Sequence, residues 1–139
     1  MNKAKTSLWI FSILLLGCRK EESKPSEPKL EGRWQQKQYT VTQPNFYGGT
    51  ASNTYPARAD NYILISADSI TYQGPQLSRS ITQAYVRRGK KLFIATGTAN
   101  SRIETIENLS EFKLMLRIAQ QTGIMLKDSI VREFHYERR

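Results

Sequence analysis

From residue 30 to the end of this chain, apolar side chains mostly alternate with polar ones, and no segment shows a strong helical period. Residues 111–119 are the clearest case. Phe112, Leu114, Leu116 and Ile118 share one parity, while Lys113, Met115 and Arg117 share the other. Period two sends successive side chains to opposite faces, so this segment is expected to be a half-buried strand. Residues 61–66 and 69–73 meet across Ala67-Asp68, a tight turn. Residues 81–88 and 91–96 meet across Gly89-Lys90 as a hairpin, and 101–107 meets 111–119 across residues 108–110. A first strand covers about 32–41. The last covers 129–137, where Ile130, Phe134 and Tyr136 share a parity, although Ile130, Val131 and Phe134 also fit a helical turn. Two stretches interrupt the rhythm, a long loop over 43–59 and a lesser one over 120–128. Eight sequential antiparallel strands predict an all-β, up-and-down barrel, because closure removes exposed sheet edges. A two-sheet β-sandwich is the alternative.

The first 29 residues are of another kind. Lys3 and Lys5 precede an apolar run over 8–16, followed by Gly17-Cys18. The run is roughly half the 20 residues that a spanning helix needs, and its layout is that of a secretory signal. Leu15-Leu16-Gly17-Cys18 resembles the lipobox of bacterial lipoproteins. That resemblance implies a signal peptide over 1–17, removed on maturation, and lipidation of Cys18. One acyl chain binds a membrane only marginally, so multiple acylation of one cysteine makes physical sense. Cys18 is the only cysteine, so stability falls to the core without disulfides. Lys20-Glu21-Glu22 resembles the export signal of Bacteroidota lipoproteins, which implies the outer membrane, exposed at the cell surface; a periplasm-facing anchor is the alternative. Residues 18–29 read as a tether too polar to bury itself, and 30–139 as one domain of a size suited to a single core.

Leu30-Glu31-Gly32-Arg33-Trp34 at the start of the first strand resembles the Gly-x-Trp motif of lipocalins and of lipocalin-like domains in such lipoproteins. The resemblance spans roughly 30–139. It implies that an arginine of the last strand packs on Trp34 at the closed end of the barrel. Arg138, on the parity of Phe134 and Tyr136, is the first candidate, and Arg132 the second. The chain departs from lipocalins in lacking their disulfide and their helix after the barrel. It also lacks the paired helices that follow the first strand in fatty-acid-binding relatives.

The residues give little support to catalysis. The single histidine, His135, shares the outward parity of Val131, Glu133 and Glu137, and no nucleophile or orienting partner accompanies it. No Gly-x-Ser-x-Gly, clustered metal ligands or phosphate loop occurs, so no enzyme activity, metal or cofactor is expected. Loss of Lys3 and Lys5 reduces the 21 basic residues to 19 against 12 acidic ones, a net charge of +7. A basic surface favours anionic partners. Arg87, Arg88, Lys90 and Lys91 form the densest basic stretch, at a hairpin tip. Interleaved aromatics for base stacking are missing, which argues against nucleic acid. Phe46, Tyr47 and Tyr55 in the 43–59 loop are candidate ligand contacts at the barrel mouth. Gln36, Gln38, Thr40 and Thr42 share the parity of Trp34, so an unbroken first strand has a polar inner face. Two functions follow as expectations. One is a membrane-anchored barrel binding a small amphipathic or glycan ligand. The other is a filled barrel serving an envelope protein complex.

Overall fold

The structure, a computed structural model, describes residues 27–45, 47–121 and 129–139. Nine antiparallel strands occur among them and no helix: β1 (Gly32–Pro44), β2 (Thr50–Pro56), β3 (Tyr62–Ile65), β4 (Ser69–Gln73), β5 (Ile81–Arg88), β6 (Lys91–Ile94), β7 (Arg102–Leu109), β8 (Lys113–Gln121) and β9 (Ser129–Arg138). From β3 to β9 each strand pairs with the next, and β1 pairs with both β3 and β9. One continuous sheet therefore closes on itself as an eight-stranded, lipocalin-like barrel with one extra strand. This pairing replaces the sandwich alternative. The segment 129–137, compatible with a helical turn by its spacing, is strand in β9.

The extra strand is β2, inside the stretch expected to be a long loop. It was hidden because neither of its faces is buried: the segment TASNTYP carries no apolar alternation. Its order comes from backbone pairing to β1 and from hydroxyl pairs across the two strands, Thr40–Thr54 at 2.9 Å and Thr42–Ser52 at 2.7 Å. Such cross-strand Thr and Ser bonds are modest local stabilisers.

β1 is shared between two neighbours on one edge. Its first residues pair with β3 and its later ones with β2. At the changeover a β-bulge interrupts the β1–β9 register between Gln36 and Gln38. There the Ala57 N–H donates to the Lys37 carbonyl at 2.9 Å, and the Gln36 N–H donates to the Asn61 carbonyl at 2.9 Å. One extra residue flips every later side chain to the other face. Gln36 points inward, level with Tyr136, but beyond the bulge Tyr39 and Val41 take the inner face. Gln38, Thr40 and Thr42 turn outward, which corrects the polar inner face expected of this strand.

The core fills only one end. Leu30, Trp34, Ile63, Ile65, Ile70, Tyr85, Leu92, Ile94, Ile106, Leu114, Leu116 and Tyr136 are buried together. At this closed end the Trp34 indole is fully buried. Its Nε1–H donates to the Leu30 carbonyl at 2.7 Å, and the Arg138 guanidinium lies 4.5 Å from its ring centroid. Arg138 also donates from Nη2 to the Lys29 carbonyl. The glycine of the Gly-x-Trp pattern has a double reason. Gly32 has φ of 139°, and a Cβ there would meet Arg138 Nη1 at 3.4 Å. The positive φ favours a residue without a side chain, and a Cβ there would stand in van der Waals contact with the guanidinium.

Candidate functional site

Above the apolar floor the inner wall changes character. β7 is extended, so Arg102, Glu104 and Ile106 all face inward; Ile106 joins the core while Arg102 and Glu104 sit nearer the mouth. Glu104 is only 3% exposed and its carboxylate is held at 2.8 Å by Arg102 Nε. The same guanidinium donates from Nη1 to Gln83 Oε1 at 2.7 Å and from Nη2 to the Tyr72 hydroxyl at 2.6 Å. Tyr72 in turn donates to Glu104 Oε1 at 3.3 Å. Strands β4, β5 and β7 thus each send one or two polar groups to a single cluster. Their registers make this possible, since Ile70 on β4 pairs with Gln83, and Ile94 on β6 pairs with Arg102.

Ionisation follows from this burial. Burial pushes the Tyr72 hydroxyl up; Glu104 adds to the shift and Arg102 partly offsets it. Tyr136 is raised well above the ordinary tyrosine range, chiefly by burial and then by Glu104. For Arg102 burial alone acts downward, but Tyr72 and Glu104 outweigh it and the net shift is upward. The cluster is therefore a charged arginine and neutral phenols around a carboxylate, set in low dielectric where each polar contact is strengthened.

Two cavities meet at this cluster. The open mouth, about 1050 Å³, is bounded by Leu77, Ile81 and Ile118 on its apolar side and by Gln83, Arg102 and Arg132 on its polar side. A deeper chamber of about 360 Å³ lies between β1, β4 and β9, lined by Gln36, Glu104, Phe134 and Tyr136. Tyr72, Leu77, Arg102 and Ile118 border both. Among the described residues, two arginines and no carboxylate line the outer cavity.

The residues singled out by sequence fall in different places. Arg138 packs on Trp34. Arg132 does not: it pairs across β9 with Val41, high in the mouth, and donates to Gln120 Oε1 at 3.0 Å. Its parity was inward as expected, but six residues of strand separate it from the closed end. Tyr47 is 94% exposed at the tip of the β1–β2 hairpin. Tyr55 stacks on Tyr39 at 5.1 Å, and Tyr39 stacks on Phe134 at 6.3 Å. Tyr47 and Tyr55 thus sit at different levels of the hairpin and form no joint platform at the mouth. Phe46 and Cys18 lie outside the described residues. Arg87, Arg88, Lys90 and Lys91 are exposed at the β5–β6 tip, at the end opposite the mouth. His135 lies on the outer face of β9, beside Lys37, Gln38 and Met115. Sequence reading passed over Tyr72, Gln83, Arg102 and Glu104. The one available signal was Arg102-x-Glu104, two charges on the parity that Ile106 marks as inward.

No family model matches this chain, and neither a curated protein nor a solved structure shows significant similarity to it.

Proposed function

We propose that this chain is a lipid-anchored, lipocalin-like domain of the bacterial outer membrane that holds a small amphipathic molecule in the mouth of its barrel. The observation that carries the reading is the division of the interior. An apolar floor is packed solid, while the upper half is hollow and presents a charged guanidinium opposite aliphatic walls. An eight-stranded barrel is either just filled by side chains or holds one small ligand, and the cavity above Tyr72 and Arg102 supports the second. The head of an amphiphile, a carboxylate or phosphate, is placed at Arg102 and Arg132, and its apolar part between Leu77, Ile81 and Ile118. An amphiphile is favoured over a glycan because one face of the Tyr55 ring is occupied by Tyr39 and is closed to stacking on a sugar. The anchor at Cys18 and the surface location rest on the Leu15-Leu16-Gly17-Cys18 and Lys20-Glu21-Glu22 patterns.

Native mass spectrometry of gently extracted protein tests this reading. One bound amphiphile per chain is expected. Arg102→Met should weaken binding of a dodecyl carboxylate by about 10- to 100-fold, the worth of one hydrogen bond to a charged group. A ligand-free barrel with a stoichiometric protein partner would overturn it.

A further inference from the structure

The two ends of the barrel differ in charge. Strand directions bring the turns 66–68, 89–90 and 110–112 and the C-terminal Arg139 to the closed end, together with residues 27–31. Arg87, Arg88, Lys90 and Lys91 project from one of these turns and Lys113 from its neighbour; all are exposed. The exposed acids of this end are Glu27, Glu31, Asp68, Glu111 and Glu137, the last paired across the strands with Lys113, and with Lys29 and Arg139 added the exposed bases still outnumber them. Between the basic groups stands Phe112, 64% exposed. Its turn is fixed by backbone: the Arg138 N–H donates to the Phe112 carbonyl at 3.0 Å and the Ser110 N–H to the Lys113 carbonyl at 2.8 Å. The β5–β6 tip is fixed likewise, with Gly89 at φ 58° and Arg87 Nε donating to the Gly89 carbonyl at 3.1 Å. The described turns on the mouth side, 45, 47–49, 57–61, 74–80 and 95–101, carry only Arg58, Asp60 and Arg79 as charged residues.

The chain also enters at this end. Leu30 is buried beneath Trp34, and Arg138 holds the Lys29 carbonyl. Cys18 lies nine residues ahead of Glu27, a stretch that spans at most about 30 Å. We infer that the closed end is a membrane-docking face: the β5–β6 tip and Phe112 sit on anionic phosphate headgroups of a bilayer, and the mouth is turned away into solvent. The geometry rests on the proposed anchor, which delivers this end to the bilayer. The charge pattern stands without it. Basic residues near an anionic surface each contribute about fivefold to partitioning, and an exposed phenyl ring adds an apolar foothold at the interface.

Full-length protein is mixed with vesicles of phosphatidylcholine alone or of an equimolar phosphatidylcholine–phosphatidylglycerol mixture. Trypsin cutting at Arg87–Lys91 is then compared with cutting at Arg79. Tip cutting is expected to be at least about tenfold slower on the anionic vesicles, with Arg79 cut equally on both. In a triple variant, Arg88→Gln, Lys90→Gln and Lys91→Gln, cutting at the remaining Arg87 should be equally fast on both vesicles. Three basic groups are worth on the order of 100-fold; unchanged near-ultraviolet circular dichroism shows that the barrel is intact. Equal tip cutting in the unaltered protein, or protection of Arg79 instead, overturns the inference. Sedimentation separates it from the anchor. Protein that pellets with both vesicles in high salt without tip protection keeps the anchor and loses the docking face. Protein that pellets only with anionic vesicles, its tip protected, does the reverse.

Discussion

Removing the Glu104 carboxylate without removing Arg102 should destabilise the barrel, and removing both should restore it. Glu104 is almost wholly buried, while the Arg102 side chain keeps 27% of its surface. Breaking a buried ion pair from one side costs about 3–5 kcal/mol, because the survivor is left charged and uncompensated. For Glu104→Leu the survivor is Arg102, which retains Gln83 and Tyr72 and faces the open mouth. Solvent screening therefore reduces the expected loss to about 2–3 kcal/mol. Arg102→Met strands the deeper carboxylate and belongs at the upper end of the range. The double variant Arg102→Met/Glu104→Leu leaves no buried charge and lines the chamber with apolar groups of similar size. Such replacements are commonly neutral or stabilising. Tyr72 loses two partners and Gln83 one, but both border the open cavity, where water reaches them.

Guanidinium unfolding of the four proteins gives the coupling directly. It should reach about 3 kcal/mol or more, with the double variant within about 1 kcal/mol of the parent. Thermal midpoints should follow at about 4 °C per kcal/mol for a domain of about 110 residues. The same double variant should fail to bind a dodecyl carboxylate, although it is as stable as the parent. A double variant as unstable as the two single losses combined would refute the pairing. One that bound the carboxylate normally would refute the role of Arg102.

Other outcomes follow from the closed end, the tyrosines and the anchor. Trp34→Ala removes a fully buried indole and should cost about 3–5 kcal/mol in chemical unfolding; cation–π contact with Arg138 contributes about 0.5–2 kcal/mol of the interactions lost. Gly32→Ala should cost about 1–3 kcal/mol in chemical unfolding, because alanine at φ 139° is strained. Tyr72, Tyr85 and Tyr136 all have raised folded-state pKa values, with burial the largest cause. The folded chain then holds protons that the unfolded chain releases above about pH 10, so stability is constant below that pH and declines above it. An alkaline unfolding series should show this decline, and Tyr136→Phe should flatten it. Acylation at Cys18 should appear in the mass of the membrane-extracted protein, and a Cys18→Ala chain should leave the membrane fraction.

The all-β class and most strand positions were legible in the sequence because they rest on local chemistry. Alternation such as Leu114, Leu116 and Ile118 marks a buried face wherever the partner strand lies. Gly89-Lys90 marks a turn, and the parity of Arg138 with Tyr136 marks it as inward. Three features depended on contacts between distant segments. The bulge at Lys37 arises where β1 passes from β3 to β2, and it reverses the facing of Gln38, Thr40 and Thr42; nothing in residues 36–42 announces it. β2 has two exposed faces, so its order comes from pairing to β1 and its residues carry no apolar signal. The polar cluster gathers Tyr72, Gln83, Arg102 and Glu104 from three strands, and only closure through the β1–β9 pairing fixes which of them meet. Local periodicity decides which side of a strand faces the core. Whether that side is packed solid, as around Trp34, or left hollow, as above Arg102, depends on the summed volumes of side chains from all the strands at each level of the barrel, and those levels are set by registers that the tertiary structure alone decides.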